Sequence, residues 1–239
     1  MSRLPHEHAA DATLQDRLAR VYWIGGGSGA GKSTIARRIA AEHGFRVYAT
    51  DDVMADHARR SAPEESPLLH RFMAMDMDER WVHRSPTIML ETFHWFQGEG
   101  FSMIIEDLVR LSGATGVIVE GLRLLPRLVE PLMRARGQAV WLLPSPDFRR
   151  AVFERRGGSA SGFLARTTDP ERALHNLLER DRLFTNILRD ETARLRVPAI
   201  EVDATMTEDD LAHRVTGILG LRPRESNDGA PPRHSVDAG

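Results

Sequence analysis

Short runs of β-branched, aromatic and aliphatic residues recur along the chain, separated by longer stretches with helical spacing. The first, Val21-Tyr22-Trp23-Ile24, runs directly into glycines and reads as a buried strand ending at a loop. From Ser33 to His43, Ile35, Ala36, Ile39 and Ala40 repeat at helical intervals, and Gly44 stands where a helix ends on glycine. Phe45 to Ala49 reads as a second strand closed by Thr50-Asp51-Asp52. Residues 116–120 (GVIVE) and 139–143 (AVWLL, stopped by Pro144) read as the third and fourth strands, and 198–202 (PAIEV) as a shorter fifth. Continuous apolar strands alternating with helices predict an α/β fold with a five-stranded parallel sheet covered by helices on both faces, a three-layer sandwich.

About 65 residues separate the second and third strands, too many for a plain crossover. Within them Ser85-Pro86 signals a helix start, and Phe101, Ile104, Ile105, Leu108 and Leu111 form an amphipathic stripe. The expected organisation is an N-terminal extension (1–20, with Leu14, Leu18 and Val21 at helical spacing) and one domain over 21–221. That domain carries a helical insert at 51–115. The Pro-rich tail, 222–239, holds little apolar material and is expected to be disordered. Six of the nine Met and two of the four Trp fall within 51–115, with Phe72, Phe93, Phe96 and Phe101. Such a stretch reads first as core, and otherwise as the lining of an adaptable apolar pocket.

Composition narrows the chemistry. With no Cys, thiolate catalysis, disulfides and cysteine zinc sites are excluded. Lys+Arg 32 against Asp+Glu 34 gives a net charge of −2, so no basic field recommends nucleic acid. No run reaches the ~18 apolar residues of a membrane span, and residues 1–12 lack a signal-peptide core; a cytoplasmic location is the expectation. His6-Glu7-His8 has no metal-site spacing, and the other His form no constellation.

One motif decides the class. Gly26-Gly27-Ser28-Gly29-Ala30-Gly31-Lys32-Ser33, followed by Thr34, fits G-x-x-x-x-G-K-[ST] between a strand and a helix. Glycines let successive N–H groups turn inward around phosphates, and the following helix points its positive end at them. Lys32 is expected to reach the outer phosphates and the Ser33 hydroxyl to hold Mg²⁺. No Asn-Lys-x-Asp base-reading motif of a GTPase is present. Leu111-Ser112-Gly113 lacks the rest of a transporter-ATPase signature.

Here the chain resembles the small-molecule and nucleotide kinases among the P-loop NTPases: the nucleoside, nucleoside-monophosphate, shikimate and antibiotic kinases. The resemblance covers roughly residues 21–215, with the phosphate loop its specific part. It implies ATP and Mg²⁺ as cofactors, a carboxylate facing the acceptor at Thr50-Asp51-Asp52, and an acidic residue near Mg²⁺ or substrate at Glu120. It also implies an arginine-bearing lid after the fourth strand, about 155–170, and an adenine-bordering loop at Asp203-Ala204-Thr205. The acceptor-site signatures of nucleoside-monophosphate kinases are missing.

Each candidate has a plainer alternative. Asp51 is the expected base, with Asp52 behind it as metal or water ligand; equally, Thr50-Asp51-Asp52 can cap the next helix. Glu120 can be a metal or substrate ligand or a solvated turn carboxylate. Arg123 can hold an anionic substrate group or sit on the surface. Arg155 and Arg156, ahead of the flexible 157–162 stretch, can stabilise the transferred phosphoryl group or end a solvated helix; Arg149 and Arg150 precede them, and Arg180 and Arg182 are softer candidates. The expected function is ATP-dependent phosphoryl transfer to a hydroxyl or phosphate of a small-molecule acceptor, with no membrane or nucleic-acid partner. Alternatives are a nucleoside or nucleotide kinase, and a regulatory ATPase whose insert binds a protein.

Overall fold

A computed structural model describes residues 13–222 except 112, 114 and 161. The expectations for residues 1–12, Ser112, Ser161 and the tail beyond 222 lie outside the described residues. Five parallel strands, β1 (Val21–Gly26), β2 (Arg46–Ala49), β3 (Val117–Glu120), β4 (Ala139–Pro144) and β5 (Ala199–Val202), pair in the order β2-β3-β1-β4-β5. β1 runs two residues beyond the expected strand because Gly25 and Gly26 still pair with Trp141 and Leu142.

Alternation along the strands divides the core into two layers. Val21, Trp23, Val117, Val119, Ala139, Trp141 and Leu143 face one layer, packed by Ile104 and Leu108 of α7 (Phe101–Leu111) and by Phe184 and Leu188 of α10 (Pro170–Leu195). Ile24, Ile118, Val140, Leu142, Ile200 and Val202 face the other. They are covered by α1 (Lys32–His43) and α11 (Glu208–Ile218). α1 ends on Gly44 in the left-handed region, as its sequence predicts.

The long connection after β2 forms α2 (Met54–Arg60), α3 (Pro67–Ala74), α4 (Met77–Trp81), α5 (Pro86–Thr92), α6 (His94–Gln97) and α7. The Ser85 hydroxyl caps α5 by accepting from the Ile88 N–H, with Pro86 at its first position. These helices do not keep their buried residues to themselves. Phe93, Phe96, Ile104 and Leu108 belong to the sheet core, while Trp81, Val82 and Met89 pack on Ala173, Leu174, Leu177 and Leu178 of α10. The other helical segments described include 13–17 ahead of β1, where the sequence predicts a short helix, α8 (Pro126–Val129) after β3 and α9 (Pro146–Arg155) after β4. Short 3₁₀ turns at Gly158–Ala160 and Leu164–Arg166 follow α9.

Leu108 is fully buried under the sheet, whereas Ile88 on α5 is half exposed. Leu108→Ala is expected to cost ~2–5 kcal/mol in urea unfolding, and Ile88→Ala no more than about 0.5 kcal/mol.

Candidate active site

Strand register brings the chemistry together. Glu120 pairs with both Ile24 and Ala49, so the ends of β1, β2 and β3 meet at one carboxyl edge. Glu120 shares the alternation of Ile118, which faces α1, and this carries its carboxylate toward Ser33. The loop between β1 and α1 closes over that edge. α1 starts at Lys32 with no side chain capping its first N–H groups, leaving them for an anion.

Ser28 through Thr34, with Asp51, Glu120, Leu122 and Arg156, line a cavity of about 140 Å³. Lys32 is buried and donates from Nζ to the Gly27 carbonyl at 2.7 Å. Burial pulls its pKa down, while the carboxylates of Glu120 and Asp51 oppose that loss of charge. Glu120 is only 4% exposed, which removes the reading of a solvated turn residue. Burial pushes its carboxyl up, aided by the nearby Asp51 charge; the Ser33 hydroxyl and Lys32 pull it back.

The close approach of β2 to β3 sets this geometry. Thr50 donates its N–H to the Glu120 carbonyl at 2.9 Å, and its buried hydroxyl has no partner. Gly121 sits at φ +150°, and a Cβ there would lie 1.7 Å from Thr50 Oγ1. Thr50-Asp51-Asp52 does not cap the next helix: α2 begins at Met54 with Val53 at its N-cap and no side-chain cap bond. Asp51 instead faces the phosphate-loop cavity. Asp52 is exposed and does not line it, so Ser33 and Glu120 come together without the third expected metal ligand.

The arginines separate. Arg156 lines the cavity with Asp51, whereas Arg155 and Arg156 together line a second hollow of about 410 Å³ beyond Gly29–Gly31 and Thr34. Phe148, Val152, Val202, Met206 and Leu211 form its apolar walls. Asp203 and Thr205 bond to each other in a turn and stay outside that lining. Arg182 pairs with Glu179 at the surface. Arg149 and Arg180 are buried and share Asp181, at 2.8 and 2.7 Å, and Arg180 also stacks 4.7 Å from the Phe93 ring centre. Arg149 packs beside Gly29 and acts on the charge of Lys32. Asp181 went unnoticed in the sequence, although the adjacent Arg180-Asp181 on an otherwise apolar helix face is its signal.

Arg123 is 3% exposed, not at the surface. Its Nη1 donates to His57 Nδ1 at 3.0 Å and its Nη2 to the Gly100 carbonyl at 2.8 Å. Since arginine has no lone pair to offer, His57 accepts on Nδ1 and donates from Nε2 to Asp107 Oδ2 at 2.9 Å. Tyr48 donates its hydroxyl to the same oxygen at 2.8 Å. Partial burial works against the Asp107 charge, but the bonds from His57 and Tyr48 hold its pKa below the usual range. His57, Asp107 and Tyr48 were not among the residues the sequence marked, because this network joins positions far apart in the chain.

No protein-family model matches the chain, and no curated protein matches it. Solved structures do. An uncharacterized protein from Eubacterium ventriosum is 15% identical, covers 84% of this chain and 98% of its own, and gives a TM-score of 0.44. A gluconokinase from Sinorhizobium meliloti is 21% identical, with 84% and 91% covered and a TM-score of 0.43. A sugar kinase from Janibacter sp. is 18% identical, with 86% and 96% covered and a TM-score of 0.39. Likeness at this level leaves the chemistry to the chain's own residues.

Gly121→Ala is expected to force β2 and β3 apart, lowering stability by about 1–3 kcal/mol in chemical denaturation. Thr50→Gly in the same background should recover part of that loss, the left-handed backbone strain remaining.

Proposed function

We propose that the protein is an ATP-dependent phosphotransferase acting on a small-molecule acceptor. The observation that carries this reading is a buried lysine at the start of α1, in a phosphate-loop cavity that it shares with Asp51, Glu120 and Arg156. Phosphoryl transfer asks a protein for alignment and charge compensation more than for covalent help. Lys32 and the uncapped N–H groups of α1 supply positive charge for the phosphates. Arg156 supplies a further cation from across the cavity. The apolar hollow beside Arg155, Val202 and Met206 suits a nucleobase.

In the proposed reaction the acceptor oxygen bonds to the γ-phosphorus. The bond from that phosphorus to the β–γ bridging oxygen breaks, and its electron pair leaves with ADP. Asp51 takes the acceptor's proton, and solvent later removes it. The donor set fits Mg²⁺: Ser33 and Glu120 present hard oxygens. Among the described residues no three His, Asp or Glu are grouped to hold a metal by themselves. When bound, Mg²⁺ supplies charge neutralisation between the phosphates.

Two substitutions test the reading. Lys32→Ala is expected to abolish measurable MgATP binding in calorimetry while the chain still folds, with a far-UV circular dichroism spectrum like that of the wild type. Asp51→Asn should keep the MgATP Kd within about twofold and lower kcat on an accepted substrate by ~10²–10⁴-fold. Wild-type turnover in Asp51→Asn would remove the base. Acceptor-independent ATP hydrolysis unaffected by either Asp51→Asn or Asp52→Asn would favour a regulatory ATPase instead.

A further inference from the structure

A further chamber, of about 330 Å³, lies beside the phosphate-loop cavity. Met54, Leu69, Phe72, Met73, Trp95 and Met103 make its lining mostly apolar, with Arg80 and Glu99 also in the wall. The two spaces share a wall. Leu122 lines the first and Arg123 the second, while Asp51 lines the first and Met54, three residues on, the second. Asp51 is close enough to act on the Arg123 charge.

Arg123 is the unusual feature of this chamber. Of the three buried arginines among the described residues, Arg149 and Arg180 share Asp181, but Arg123 has no carboxylate within 4.0 Å. Its five N–H donors make two bonds, to His57 and Gly100, and the Nε–H is sealed from water with no partner. A buried cation left in this state is costly unless an anion joins it. The placement is nonetheless built. Gly100 sits at φ +74°, and a Cβ there would lie 2.7 Å from Arg123 Nη2, while His57, Asp107 and Tyr48 brace the guanidinium from behind. His94, 2% exposed and also lining the chamber, has no partner for either ring nitrogen. Burial, with the charges of Arg123 and Arg180, brings its pKa to about 4. It therefore stays neutral near pH 7 and offers one donor and one acceptor.

We propose that this chamber binds a small monocarboxylate with an apolar, ring- or chain-bearing body, its carboxylate paired with Arg123. Resting on the kinase reading above, this ligand is the acceptor, its hydroxyl directed toward Asp51. Arg80 and Glu99 also line the chamber and carry one charge of each sign, so a singly charged carboxylate balances the remaining guanidinium, whereas a phosphate dianion would leave excess charge among Met and aromatic side chains. The mostly apolar lining disfavours a polyhydroxylated acid, since most of its hydroxyls would lose water without finding partners.

Calorimetric titration of the full chain with three probes tests this: para-hydroxymethylbenzoate, para-hydroxymethylbenzamide and gluconate. The benzoate is expected to bind about tenfold or more tighter than either of the others. Arg123→Met should reduce the benzoate to the level of the amide while leaving the MgATP Kd unchanged. Met73→Glu, which adds a carboxylate at a half-exposed position of the lining, should weaken the benzoate more than the amide. Equal binding of benzoate and amide overturns the anion site, and tighter binding of gluconate overturns the apolar class. The two readings fail separately. Benzoate binding through Arg123 without MgATP-dependent phosphorylation of any hydroxylated carboxylate overturns the acceptor role but upholds the anion site, and absence of MgATP binding as well overturns the kinase reading. Phosphorylation of gluconate, undiminished in Arg123→Met, overturns the site and upholds the kinase.

Discussion

Lys32 carries a positive charge into the interior of the sheet's carboxyl edge, and the polar contacts around it answer to that charge. An ammonium removed from water needs compensation, and Glu120 and Asp51 provide it from the ends of two neighbouring strands. Those strands can bring their carboxylates so close to the phosphate loop only because β3 turns away through a residue with no Cβ, against Thr50. Farther out, Arg149 would add repulsion, but Asp181 stands beside it and offsets the charge. The edge is therefore a cluster of opposed charges, all but Asp51 buried, and the sheet register is what places them.

That balance was partly visible in the sequence. Five apolar runs sufficed for five strands, because parallel strands buried on both faces cannot hide their hydrophobicity. The phosphate loop was legible for a similar reason: its glycines, lysine and hydroxyl lie consecutively. Strand order was not, since no local pattern says that β3 lies between β1 and β2. Glu120 and Arg123 each admitted a surface reading, and only packing removes it. Polar residues in a turn look solvated until the turn is seen beneath α1 or against α2. The Thr50-Asp51-Asp52 run illustrates the opposite error. Good capping residues were present, but the helix begins too late for them, at Met54.

The least legible features were pairs distant in the chain. His57 holds Arg123 across 66 positions and Asp107 across 50. Arg149 and Asp181 are 32 apart. In the sequence each is one charged or titratable residue among many, and nothing local tells a bracing histidine from a surface one. The Met- and aromatic-rich stretch, by contrast, turned out to be both of its readings at once. Phe93 and Phe96 pack in the core, while Met54, Met73, Trp95 and Met103 face a chamber.

α10 gives this arrangement a mechanical character. Its 26 residues extend for about 39 Å. One half packs Trp81 and Met89, the other packs the sheet through Phe184 and Leu188, and Asp181 lies between, paired with Arg149 of α9 and with its own neighbour Arg180. Such a helix is a spine rather than a hinge. Swinging the small helices away from the sheet would open two apolar seams along it at once. The spacing between the phosphate-loop cavity and the chamber beside it is therefore set by one continuous helix and the two apolar layers it joins.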